Sequence, residues 1–186
     1  MAYHHLALAA RDMQAIHNFY EGVMGFELVK VEVAPLVDGG WGKHFFYRMN
    51  GDDSRFIAFW ELHDSPTQAQ HQFDLNAAAN LPRGTNHISF EARDKAELDS
   101  WRERWNASGL DVLEIDHNWC HSVYTFDPNN NFVEFCLTTG RFDEADRAQA
   151  LAALSLDEFQ PTPAPALRKL WPANPHSEET NTHGAG

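Results

Sequence analysis

Near the start of the chain apolar residues recur with a period of two. In His5-Leu-Ala-Leu-Ala9, Leu6 and Leu8 alternate with His5 and Ala7. In a strand this spacing puts the two leucines on one face and His5 and Ala7 on the other. The pattern returns 82 residues later without a gap, where His87-Ile-Ser-Phe-Glu-Ala-Arg-Asp94 echoes His5-Leu-Ala-Leu-Ala-Ala-Arg-Asp12. After each Asp the period lengthens to that of a helix. Ile16, Phe19, Tyr20 and Val23 follow Asp12, and Leu98, Trp101 and Trp105 follow Asp94. Both aspartates are therefore predicted N-caps, with Glu97 completing a capping box in the second helix. Gly25-Phe-Glu-Leu28 and Gly109-Leu-Asp-Val112 then restart strands. His44-Phe-Phe-Tyr47 resembles His121-Ser-Val-Tyr124, and Phe56-Ile-Ala-Phe59 resembles Phe132-Val-Glu-Phe135. The predicted unit is β-α-β-β-β, present twice, which makes the fold class α+β.

These matches divide the chain into a domain over 1–140, with modules 1–61 and 85–140 joined by a connection over 62–84. That connection carries Pro66, Pro82 and Gly84 and is too long for a plain turn, so a flap or short helix is expected. Beyond it Asp143 is placed to cap a short helix through about Leu154, within an extension over 141–160. Residues 161–186 hold five of the nine prolines and are expected to be an extended tail, disordered or laid over a neighbouring subunit.

Composition narrows the function. With 27 acidic against 14 basic side chains the formal charge is −13, which argues against a sequence-independent nucleic-acid binder. A 43% hydrophobic content is ordinary for a globular chain. No stretch approaches a membrane span, and the opening Met-Ala-Tyr-His-His lacks the features of a signal peptide, so a cytoplasmic protein without membrane partners is expected. Cys120 and Cys136 do not have a metal-knuckle spacing and read as reduced.

The candidate chemistry lies on the polar strand faces. His5 and His87 occupy the same position of the two units, opposite the helix-packing face, and Glu134 alternates with Val133 and Phe135 so as to point the same way. Two imidazoles and a carboxylate on one sheet face form a facial triad, which holds a divalent metal and leaves positions open, favouring Fe(II) or Mn(II). Trp60 and Phe132 share the alternation of Ala58 and Glu134 and either line that face or pack within it. Cys136 shares the parity as well, whereas Glu61 falls on the opposite face. Phe19, Trp101 and Trp105 read as helix-face core. Asp127-Pro128-Asn-Asn-Asn131 reads as a turn before a strand. His176, His183 and the Glu178-Glu179 run read as solvated.

Over residues 3–138 the sequence resembles the vicinal oxygen chelate superfamily, which includes glyoxalase I, type I extradiol dioxygenases, and fosfomycin and bleomycin resistance proteins. The motifs carrying the resemblance are His5-Leu-Ala-Leu, Asn86-His87-Ile-Ser-Phe and Tyr124-Thr-Phe-Asp-Pro-Asn-Asn-Asn-Phe-Val-Glu134. It implies that the two units curl into a cup-shaped mixed sheet around one metal held by His5, His87 and Glu134, with a homodimer as default. The fourth ligand position of glyoxalase I falls on Ala58, which cannot ligate. The second unit also resembles the extradiol signature, through Ile115-Asp-His117, Val123-Tyr124, Asp127-Pro128 and Glu134. This implies that His117 and Tyr124 hydrogen-bond a metal-bound substrate. Asn130 replaces the family's Gly or Pro, and Arg55 stands where the family has an acid/base histidine. His44, His63, His71 and His121 are the alternative sources of a proton relay. The implied function is a metal-dependent, dioxygenase-like enzyme acting on a small molecule that chelates through two adjacent oxygens. The alternatives are a glyoxalase-like lyase or isomerase, and a noncatalytic binder of an aromatic ligand.

Overall fold

A computed structural model describes residues 3–155, 157–159 and 161–174. The expectations for His176, His183 and Glu178-Glu179 lie outside these residues. The strands form two sheets, of order β1-β4-β3-β2 and β5-β8-β7-β6-β9. In the first, β1 (His5–Ala9) runs parallel to β4 (Asp52–His63), and β2 (Glu27–Pro35) and β3 (Trp41–Met49) follow as antiparallel neighbours. The second contains β5 (His87–Glu91), β6 (Val112–Asp116), β7 (Cys120–Phe126), β8 (Phe132–Thr138) and β9 (Leu167–Trp171). The helices are α1 (Met13–His17), α2 (Leu75–Ala78), α3 (Lys95–Ala107) and α4 (Glu144–Ala153). This is the expected α+β class.

By internal contacts the chain forms two compact units, one of residues 1–88 and 126–133, the other of 89–125 and 134–186. The division falls inside β5, and the turn before β8 belongs to the first unit, unlike the boundaries drawn from the repeat.

In the first unit Asp12 caps α1, accepting the Ala15 N–H at 3.0 Å. The expected single helix stops at His17, and Asn18–Val23 continue as a π-helix. Ile16, Tyr20, Tyr47, Ile57 and Phe59 are buried between this helical segment and the sheet. The β2–β3 hairpin needs glycine at Gly40, where φ is +81° and a Cβ would lie 2.4 Å from the His63 carbonyl oxygen. The connection contains α2, capped by Asp74, and the Leu75 N–H donates to Asn131 Oδ1 at 2.9 Å. The Asp127–Asn131 turn is a hub within this unit. Asp127 accepts from the Asn129 and Asn131 N–H groups at 2.9 and 2.8 Å and from the Tyr20 hydroxyl at 3.1 Å. Asn129 clasps the end of β1, donating to the Ala9 carbonyl and accepting from the Arg11 N–H. Asn130 adopts φ 68°, the left-handed conformation that asparagine tolerates.

In the second unit Asp94 caps α3, accepting the Glu97 N–H at 2.8 Å, but Glu97 reaches back to the Arg93 N–H rather than to the cap residue. Trp105, Leu98, Val112, Val123 and Phe135 are buried, and Trp101 stacks on Phe135 at 4.1 Å. Asp143 and Asp146 form a reciprocal capping box at the start of α4. Part of the Pro-rich tail is ordered on its own chain, as β9 pairs antiparallel with β6 and sets Trp171 opposite Val112.

Candidate functional site

Strand parity distributes the functional side chains. In the first unit β1 is in register with β4, His5 opposite Phe56 and Ala7 opposite Ala58. The His5 ring meets Phe46 at 5.6 Å and His44 at 6.2 Å, and its Nδ1 lies 2.9 Å from that of His4. Trp60 lies flat against His44, with ring centroids 4.1 Å apart. Gly42 makes this possible, since a Cβ there would come within 3.0 Å of the indole. The His5 face is therefore lined by rings. His44 is buried, its Nε2 has no hydrogen-bond partner, and burial followed by the nearby His5 lowers its pKa. His87, also of the first unit, has Nδ1 3.3 Å from the Thr85 carbonyl and contacts Phe132 at 6.4 Å. A carbonyl only accepts, so Nδ1 carries the proton, and in the neutral ring Nε2 has the lone pair. That leaves Nε2, one of the two ring nitrogens through which histidine binds metal, with its lone pair available to a ligand role.

In the second unit Glu134 is 5% exposed and Tyr124 is 7% exposed. His117 Nε2 lies 2.9 Å from the Tyr124 hydroxyl, and the Glu134 carboxylate is near enough for its charge to act on that phenol. Burial, with the Glu134 charge adding to it, pushes the Tyr124 pKa up, so the phenol stays protonated through the neutral range. Burial and the neighbouring Cys136 push the Cys120 thiol up to about 12.

His5 and His87 thus belong to one unit and Glu134 to the other. Among the described residues no group of three or more His, Cys, Asp or Glu side chains is assembled for a metal within this chain. Two imidazoles and a buried carboxylate are donor types that suit a divalent first-row metal. Of the relay candidates, only His44 is in ring contact with His5. His63 stacks on Trp41 and lies 3.5 Å from Glu61 on the helix side of the first sheet. Glu61 is on that side, as parity predicts, bonded to Lys43 at 2.8 Å. His121 accompanies Glu114 at 2.9 Å, and His71 lies near Ser65 and Thr67 in the connection. Arg55 is paired with Asp52.

The repeat match over β3 and β7 proves to be off by one. Tyr47 bonds His17 on the helix side, whereas Tyr124 lies with Glu134, and His44 and His121 differ in the same way. The turns flanking these strands differ in length between the copies, so identical letters there do not mark identical positions.

Among solved structures, a lactoylglutathione lyase of Agrobacterium tumefaciens is 27% identical, over 73% of this chain and 92% of that one, with a TM-score of 0.49. The fosfomycin resistance protein FosX of Listeria monocytogenes is 20% identical, over 75% and 94%, with a TM-score of 0.52. TnmS3, an antibiotic binding protein of Streptomyces sp. CB03234, is 15% identical, over 75% and 97%, with a TM-score of 0.51. No curated protein sequence matches the chain. No helix among the described residues is long and apolar enough to cross a membrane. A family model matches residues 2–135, and with the two-sheet fold this shows that the chain belongs to the Glyoxalase/Bleomycin resistance protein/Dioxygenase superfamily.

Proposed function

We propose that the chain is a metal-dependent, dioxygenase-like enzyme of the cytoplasm, acting on a small molecule that chelates through two adjacent oxygens. The observation that carries this reading is the His117–Tyr124 hydrogen bond, made beside the buried Glu134. It joins the two proposed substrate-contacting residues near a proposed ligand. His5, His87 and Glu134 would hold Fe(II) or Mn(II), and we take the working assembly to be a homodimer. A FosX variant was solved with Mn(II) and a dihydroxypropylphosphonic acid, which carries adjacent oxygens. The bound ion would supply Lewis acidity and, if iron, a route for electrons to oxygen.

The rest of the mechanism belongs to the chain. The buried Tyr124 hydroxyl, held protonated, would donate a hydrogen bond to a substrate oxygen. His117 would orient that hydroxyl by donating its Nε2–H to the phenol oxygen, and that proton is the one it could deliver. On the His5 face Trp60 and Phe46 offer ring surface to a planar substrate. This aromatic face also favours the second reading, a noncatalytic binder of an aromatic ligand.

The test is oxygen uptake by Fe(II)-loaded protein with a panel of catechols, comparing wild type with Tyr124→Phe. The reading predicts substrate-dependent uptake that falls at least about tenfold in the variant, the scale of one lost hydrogen bond to a charged group, with metal content unchanged. Saturable catechol binding without uptake would favour the binder.

A further inference from the structure

β2 ends the first sheet, and no strand lies beside it among the described residues. Its outer edge presents backbone N–H and C=O groups without a ladder partner, which is a template for a further strand. In the second sheet the strand at the same place in the order, β6, has β9 paired along it. On β2 the pairable stretch is bracketed. The register with β3 shifts between Leu28 and Lys30, leaving Val29 as a bulge at one end, and Pro35, which has no N–H, stands at the other. Residues 30–34 between them keep unbroken register with β3.

That register also fixes the faces. Val31 and Val33 stand opposite Phe45 and Lys43 on the helix side of the sheet, and they are 44% and 65% exposed. Lys30 and Glu32 stand opposite Phe46 and His44 on the other side, exposed, with Nζ and Oε1 3.9 Å apart. The order of these residues is complementary to its own reverse. When two copies of β2 meet antiparallel about a two-fold axis at Val31, Val31 faces the partner's Val31, Lys30 faces the partner's Glu32, and Glu32 faces the partner's Lys30. An axis at Lys30 would oppose two lysines, and an axis at Glu32 would oppose two glutamates, both unfavourable. A slip of one residue would put the charges of the two copies on opposite faces. One register alone pairs opposite charges.

We propose that the edge of β2 over residues 30–34 is the surface through which two copies of this chain associate, pairing antiparallel about Val31 into one continuous sheet. Main-chain hydrogen bonds supply the attraction, as in other strand additions. The two Lys30–Glu32 pairs set the register. On the helix side Val31 of each copy gains the partner's Val31 directly opposite and the partner's Val33 diagonally, so that valines exposed in the single chain lose solvent. This gives the proposed homodimer a defined surface. β2 is the strand farthest from β1 in the sheet order, so the pairing does not involve His5 and stands or falls independently of the proposed metal site.

The test is sedimentation velocity of the full chain at low salt, for wild type, Lys30→Glu, Glu32→Lys and the double exchange. Both side chains are exposed, so the circular dichroism spectrum should not change. The wild type should sediment as a dimer. Each single exchange opposes like charges at two places and should raise the dissociation constant on the order of tenfold or more. The double exchange should restore the wild-type value. An equimolar mixture of the two single variants sets opposite charges together again and should form a mixed dimer. A wild type that sediments as a single chain, or single exchanges that leave the dissociation constant unchanged, overturns the proposal. So does a loss that neither the double exchange nor the mixture restores, which would assign the edge to a different strand.

Discussion

The Tyr20–Asp127 contact carries a prediction that can be worked from the structure. Tyr20 is fully buried, packs on Phe59 at 4.6 Å and donates its hydroxyl to Asp127 Oδ2 at 3.1 Å. Tyr20→Phe keeps the ring and removes one hydrogen bond to a carboxylate, a loss of about 1.5–3 kcal/mol. Asp127→Ala removes the acceptor of the Tyr20 hydroxyl and of the Asn129 and Asn131 N–H groups. At roughly 1–3 kcal/mol for each donor left unsatisfied, and with relief of the carboxylate's desolvation set against it, the net loss is about 3–6 kcal/mol. A double-mutant cycle read by urea unfolding should give a coupling of about 1.5–3 kcal/mol between the two residues. The effect should depend on pH. Burial, only partly opposed by these hydrogen bonds, raises the Asp127 pKa above its ordinary value of 3.8. The stability linked to this group is thus fullest below the unfolded pKa and is lost as pH rises through the folded one. Because the Tyr20 hydroxyl favours the ionised form, the Tyr20→Phe penalty should shrink as pH falls through that window. A coupling below about 0.5 kcal/mol, or a penalty that grows on acidification, would refute the reasoning.

Further outcomes follow from other contacts. Trp105→Ala empties a fully buried site between α3 and its sheet and should destabilise the protein by about 3–5 kcal/mol by the same unfolding assay. Burial alone would raise the Glu114 pKa, but bonds from Trp171 and His121 and the charges of Arg102 and Lys95 hold it below its ordinary 4.5. Its stabilisation should be present above the unfolded pKa and lost as pH falls through the folded one, and Trp171→Phe should flatten that acid limb in thermal melts across pH. Truncation after residue 160 removes β9 and should lower stability while leaving metal content unchanged. Equal loss of metal would tie the tail to the proposed site.

Alternation and capping made most of the fold legible. His5-Leu-Ala-Leu and His87-Ile-Ser-Phe carry period two without interruption, and Asp12, Asp94 and Asp143 cap the helices expected of them. Glu61 lies on the side that parity predicts, bonded to Lys43. Three features were not legible, each for a physical reason. The π-helix over Asn18–Val23 differs from an α-helix by the partner each N–H chooses, which side-chain periodicity does not record. β9 is short and flanked by prolines, and it is held as a strand by β6 and by Trp171 on Glu114, contacts distant in sequence. The misregister of β3 against β7 arose because a short identity survives a change of turn length, whereas strand parity does not. At the candidate site, alternation puts His5, His87 and Glu134 forward as candidates, and the His117–Tyr124 bond depends on a contact across seven residues that no local pattern signals.

Whether His5, His87 and Glu134 hold a divalent metal is tested by elemental analysis of protein purified without oxygen, wild type beside His87→Ala. The account predicts about one equivalent of iron or manganese per chain in the wild type and its loss in the variant, with an unchanged circular dichroism spectrum. Retention of the metal by His87→Ala, or no uptake by the wild type after reconstitution with either ion, would contradict it.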